Sequence, residues 1–282
     1  MKYLLNNKSH KFYKWLLIPY FIILLLLVLI PIFIIFFNSI QEYNNQKLLK
    51  MIFTIKYYRK FYTNLNFIYV LIRSISIAII ATFLIVIITY PLAYIVSKCN
   101  IVIQPILVLF INGIIWVNMI LKIQALVQIF SLTEKFLQIE LIGTNFAMFI
   151  GFIYIFLPYM FLSIYLSISK IDISLINAAQ DLGANEKQIF YKIIFPLSLP
   201  GIMTGTILIL LQTVTNIVVP KYLGPTTVTT ISELIENKTF LSGEIKNACV
   251  MAINLTLLMI LILNFCKNNK YSRNYNNYVK HT

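Results

Sequence analysis

Bond-making chemistry needs a nucleophile, an acid–base pair or a metal, and the residues able to supply them are few and scattered in this chain. Cys99, Cys249 and Cys266 lie far apart with no Cys-x-x-Cys pair, so they read as small apolar fillers and not as a redox or zinc site. His10 and His281 sit in the two terminal tails, which excludes a histidine metal site. None of the eight glycines precedes a lysine, so the phosphate-cradling G-x-x-x-x-G-K-[ST] loop is missing and the chain cannot hydrolyse ATP by that device. Uncharged polarity, by contrast, recurs inside apolar runs: Asn112 and Asn118, then Thr206, Gln212, Thr213, Thr215 and Asn216. Such groups either bond between helices, at about 0.6 kcal/mol per pair, or line a wet, weakly interacting pathway. For the second role the candidates are Asn112, Asn118, Lys122, Gln212 and Asn216.

The elements that position these side chains are set by the solvent, and the composition makes that solvent lipid. Of 282 residues 60% are hydrophobic and 11% charged, against about 25% charged in a soluble domain. Six charge-free stretches, 15–37, 74–97, 101–121, 141–169, 197–220 and 247–266, have the roughly 20 residues that a bilayer core demands. Each is predicted as a helix, because in hydrocarbon every backbone donor and acceptor must pair within the segment; a barrel would alternate, and these runs do not. The net charge of +14 does not mark nucleic-acid binding, since the basic residues lie between apolar runs where they meet anionic headgroups. Lys2, Lys8, Lys11 and Lys14 precede a first run too long for a secretory signal, so it is expected to stay as a helix. The resulting organisation is a tail over 1–14, a first span over 15–37, an external linker over 38–72, a core over 73–266 and a tail over 267–282. The 38–66 part of the linker is long enough for an interfacial helix or an ordered external segment. Residues 122–140 have the pattern of a helix lying in the interface, and a short polar helix is expected around 232–237. No span contains Asp or Glu, so the carboxylate relays of many secondary transporters are missing and energy must come from elsewhere. Lysines and arginines divide almost evenly between the two sides, so charge barely votes on orientation.

One linker, 170–200, holds three of the nine acidic residues, Asp172, Asp181 and Glu186, and reads as two short helices. Asp172 or Ser174 can cap the first, over 174–182, and Gly183 falls where it should end in a left-handed residue. The second, over 185–194, places Ile189, Phe190, Ile193 and Ile194 on one face. Pro196 is expected to stop it and Pro200 to open the next span. The order Asn177-Ala178-Ala179, three residues, Gly183, nine residues, Ile193-x-Phe195-Pro196 resembles the EAA signature of ABC importer permeases, in which Glu-Ala-Ala is followed at the same distances by Gly and by Ile-x-Leu-Pro. Asn177 and Phe195 depart from it. Gln180-Asp181-Leu182-Gly183, Pro196-Leu197-Ser198-Leu199-Pro200-Gly201, Tyr90-Pro91-Leu92-Ala93-Tyr94, Trp116-x-Asn118 and Leu157-Pro158-Tyr159 resemble the spermidine/putrescine branch, over about 73–265. Lys122 stands where that branch usually has arginine, and Lys221-Tyr222-Leu223-Gly224 replaces an acidic-containing turn.

The resemblance implies an all-α integral membrane protein with six transmembrane helices and a cytoplasmic coupling helix between the fourth and fifth. It implies a multi-pass protein of the bacterial cytoplasmic (inner) membrane, both termini cytoplasmic, and a transporter subunit, not an enzyme. Asn177, Ala178, Ala179, Asp181, Leu182, Gly183, Ile193 and Pro196 are then the ATPase-coupling residues; Ala179 and Gly183, four apart on one face, would let a partner's backbone come close. The implied partners are an ABC ATPase subunit dimer, a second permease subunit, related or identical, an external solute-binding protein and membrane lipid, with no nucleic acid. No cofactor is implied for this chain, since a separate subunit binds ATP. The implied function is binding-protein-dependent import of polyamines by alternating access. The alternatives are a permease for another small solute, a passive channel or secondary transporter of the same topology, and a degenerate membrane scaffold, to which Asn177 and the altered turn point.

Overall fold

A computed structural model describes residues 17, 19–43, 51–226 and 230–268, with the side chains of 43, 51, 52 and 265–268 left aside. The readings on His10, His281, Cys266 and the amino-terminal lysines lie outside the described side chains. Among the described residues five helices are long and apolar enough to cross a bilayer: α1 Pro19–Ile40, α3 Leu65–Ser97, α6 Asn145–Ile168, α8 Glu186–Thr215 and α11, whose apolar part is Ile245–Asn264 and which runs Ile245–Asn268. α4 over Ile103–Trp116 and α5 over Met119–Leu137 meet the same requirement only as a pair, bent by 99°, which makes either a sixth, broken span or a re-entrant loop. Shorter helices are α2 Lys56–Thr63, α7 Ile173–Asp181, α9 Val218–Leu223 and α10 Ile231–Glu236.

The chain forms two compact units. One contains α1, a small antiparallel hairpin and α2, together with residues 235–256. Its hairpin pairs β1 Gln41–Tyr43 with β2 Met51–Phe53, Gln41 opposite Phe53, and Ser39 ties the end of α1 to α2 through the Tyr58 hydroxyl at 2.9 Å. Thus the 38–66 part of the linker, expected as an interfacial helix or an ordered external segment, holds among its described residues two paired strands, a helix and the start of α3. That helix begins at Leu65, well before Ser74, since arginine is a good helix former and the helix runs through Arg73, whose Nη2 donates to the Asn145 side chain at 3.2 Å. In the first unit Glu244 stands immediately before α11; hydrogen bonds from the Asn247 and Lys238 side chains hold its carboxyl below the usual glutamate range.

The other unit holds the buried core, built around α6, which packs most extensively on α8 and also meets α4, α5 and α9. Phe152, Phe161, Met148, Met160 and Ile164 of α6 are fully buried. The faces of α1, by contrast, remain apolar and exposed, as lipid contact requires.

Two expectations fail at prolines. Pro196 does not stop a helix and Pro200 does not open one: both lie within the continuous α8, which ends at Thr215, short of Pro220. Proline's ring collides with the carbonyl four residues earlier and it lacks an N–H. The conflict is relieved by a wider, π-type turn over Phe190–Ile194, in which the Phe195 amide bonds back to the Phe190 carbonyl. The same device recurs in α1, where the turn Leu25–Leu29 precedes Pro31.

Candidate functional site

The linker after α6 folds from its own signals. Asp172 caps α7 by accepting from the Ser174 amide at 2.9 Å, and that hydrogen bond holds its carboxyl below the usual range. At the other end Gly183 takes φ +81°, with its N–H donating to Gln180 O at 2.8 Å and the Ala184 N–H to Ala179 O at 2.9 Å. This bonding is a Schellman ending, and it saturates carbonyls that the helix leaves open. Asn185 then starts α8 with a reciprocal capping box to Gln188. Ile189 and Ile194 are buried while Phe190 and Ile193 are half-buried, so the amphipathic face is as expected, carried by an α-turn and a π-turn of one long helix.

Asn177, Ala178, Asp181, Leu182 and Gly183 are exposed and Ala179 is half-buried. Ile173, Leu175 and Leu182 add apolar surface, Leu182 being 89% exposed. Gly183 lies past the helix end, so Ala179 and Gly183 do not form a single helical face. A Cβ at Gly183 would meet nothing within 4 Å, and the requirement for glycine there is set by the positive φ.

The pathway candidates separate into those that share a cavity and those that do not. α4 ends in a tight turn over Ile114–Trp116, Val117 is extended, and Asn118 caps α5 by accepting from the Ile120 amide at 2.8 Å. The expected third span over 101–121 is therefore broken, and the side-chain oxygen of Asn118 is committed to the backbone. Beside the break lies a cavity of about 310 Å³ lined by residues that include Lys122, Tyr159, Gln212, Thr215 and Asn216. Lys122 is only 5% exposed and makes no ion pair among the described residues. It sits one turn into α5, where the helix dipole adds to its positive charge. Asn216 ends α8, accepts from the Val219 amide at 2.9 Å and turns its Nδ2 to the Met119 sulfur at 3.9 Å, a weak acceptor. No acidic residue lines the cavity. Asn112 does not line it either; its Nδ2 donates to Val108 O at 2.8 Å and its Oδ1 is buried without a partner.

Sequence reading passed over Gly201 and Gly205, whose four-residue spacing is the usual mark of close helix packing in lipid. Here α8 lies against α6 so closely that a Cβ at Gly201 would overlap that of Ser167 and come 2.7 Å from the Ser163 carbonyl oxygen. The Ser163 hydroxyl donates to Gly201 O at 2.8 Å across the same seam.

Residues 48–268 match the profile of a family described as binding-protein-dependent transport system inner membrane component. The chain is 30% identical over 272 residues to the spermidine/putrescine transport system permease protein PotB of Haemophilus influenzae, covering 92% of this chain and 93% of that one. It is 31% identical over 252 residues to PotB of Escherichia coli K12, covering 85% and 91%. Among solved structures, a bacterial alginate ABC transporter in complex with its alginate pentasaccharide-bound periplasmic protein contains a chain of similar fold, with TM-score 0.73 at 13% identity, covering 93% of this chain and 95% of that one.

Proposed function

The chain belongs to the family of binding-protein-dependent transport system inner membrane components, and from that premise we propose that it carries polyamines, spermidine or putrescine, inward across the membrane. It is the multi-pass permease of an ABC importer, and its relatives are permease proteins, not enzymes. In this reading α7 is the cytoplasmic coupling helix, and Asn177, Ala178, Ala179, Asp181, Leu182 and Gly183 present it to a dimer of ATPase subunits that binds and hydrolyses ATP. A second permease, related or identical, completes the pore, and an external binding protein delivers the solute. Ile193 and Pro196 belong to the stretch of α8 that leaves the coupling loop.

The course of α8 carries the proposal. It is a single 30-residue helix that starts in the exposed loop beside α7 and ends at the cavity with Gln212, Thr215 and Asn216. A displacement applied at α7 is thereby led to the walls of the pathway. Those walls bear Lys122 and no carboxylate, so a polycation meets one like charge there and otherwise apolar, amide and hydroxyl groups that do not hold it. Selection accordingly falls to the binding protein, and the cavity passes what it is given.

The test is radiolabelled putrescine and spermidine uptake in a strain without its own polyamine importers, with this chain, ATPase, second permease and binding protein supplied. Uptake is expected to need all four and to cease when the ATPase is disabled in hydrolysis. Uptake of another solute instead would overturn the polyamine assignment, and uptake without hydrolysis would overturn the mechanism.

A further inference from the structure

The π-turn of α8 interrupts its α-helical bonding between the coupling loop and the cavity. Its bonding is one residue wider than an α-turn, and Pro196 beyond it has no N–H to give. A helix that transmits displacement needs that point held from outside, and one side chain of α3 touches it on both sides. The Tyr90 ring packs edge-on against Phe190, which opens the turn, with centroids 5.9 Å apart. It also packs against Phe195, which follows the turn, at 5.7 Å. The Tyr90 hydroxyl lies 3.1 Å from the Ser198 Oγ. Ser198 is fully buried and already donates its single proton to Phe195 O at 2.9 Å, so Tyr90 is the donor. Tyr94, one turn on, places its ring 5.1 Å from Phe190.

We infer that Tyr90 is a positioning residue for transport: it splints the π-turn of α8, supported by Tyr94 against Phe190, so that movement of the coupling loop reaches both the cavity end of α8 and α3. The inference rests on the reading of α7 as the docking site of an ATPase. Its sequence mark is Tyr90-Pro91-Leu92-Ala93-Tyr94, whose two tyrosines, four apart, share a helix face.

The experiment reads the stroke without reference to cargo. In the assembled complex, with Cys99, Cys249 and Cys266 replaced by serine, Gln212→Cys is labelled with a maleimide before and after ATP and vanadate trap the closed ATPase dimer. The labelling rate is expected to change with nucleotide in the parent. Tyr90→Ala should shrink that change by about 10-fold, the order expected from losing two edge-to-face ring pairs, while recovering the ATPase at parental levels. Tyr90→Phe keeps both rings and should retain most of the change. Should Tyr90→Ala insert poorly, Tyr90→Leu removes the ring contacts while keeping bulk. An Ala or Leu variant with the parental response overturns the splint, as does a Phe variant that loses as much as Ala. A parent without any nucleotide response refutes the drive of this cavity by an ATPase, and with it both readings.

Discussion

Gly183 ends α7 at φ +81°, a conformation in which a Cβ crowds the following carbonyl at a cost of about 1–2 kcal/mol. The space around it is open, so the position tests backbone conformation apart from bulk. Gly183→Ala is expected to loosen the ending that binds Gln180 O and Ala179 O, raising hydrogen exchange at the Gly183 and Ala184 amides about fivefold. Gly183→Asn should restore most of the protection, since asparagine tolerates left-handed backbone. Equal protection in parent and alanine variant would mean that α7 is held by something other than its own cap. Asn177, where the resembled signature has glutamate, is exposed and takes no part in either cap of α7. The altered charge therefore leaves both caps of α7 untouched and bears on what α7 meets.

At the scale of elements, the seam between α6 and α8 makes a prediction that separates two glycines of identical spacing. At Gly201 the obstacle includes a backbone oxygen of Ser163, which cannot turn aside; at Gly205 the nearest atom, at 2.6 Å, is the Met160 sulfur at the flexible end of a side chain. Gly201→Ala is expected to destabilise by about 1–3 kcal/mol, the usual cost of overpacking, and Gly205→Ala by distinctly less. Unfolding midpoints of the two variants in the same bilayer discs measure the difference, and equal midpoints would refute the close approach. The helices themselves were legible because charge-free runs near the bilayer length admit little else. The break at Trp116–Asn118 was not, since the apolar run continues through it and only the cap at Asn118 marks it. Pro196 misled for a related reason: proline ends helices in water, whereas here a π-turn lets α8 pass through it. Of the pathway candidates, Lys122, Gln212 and Asn216 converge through the α5–α6–α8 packing. Asn112 and Asn118 share their chemistry but direct it to nearby backbone.

For the whole molecule, sidedness turns on the bent pair. If α4 and α5 together make one crossing, the chain crosses six times, both ends lie on one side, and α7 lies there as well. If the pair instead enters and leaves by one face, only five crossings remain, and α7 moves to the side opposite the amino terminus. An ATP-driven coupling helix must face the cytoplasm, and with the pair as one crossing both termini are then expected in the cytoplasm too. Near-even charge cannot decide this, but single cysteines can, introduced at Lys98, Glu140, Asn185, Asn237 and Thr282 in a chain whose native cysteines are serine. A membrane-impermeant maleimide added to whole cells should label Glu140→Cys and Asn237→Cys and spare the other three until the cells are opened. Lys98→Cys and Glu140→Cys behaving alike would make the bent pair re-entrant, and labelling at Asn185→Cys would place α7 outside. No ATPase could reach it there, and the assignment of α7 as the coupling helix would fall with the topology.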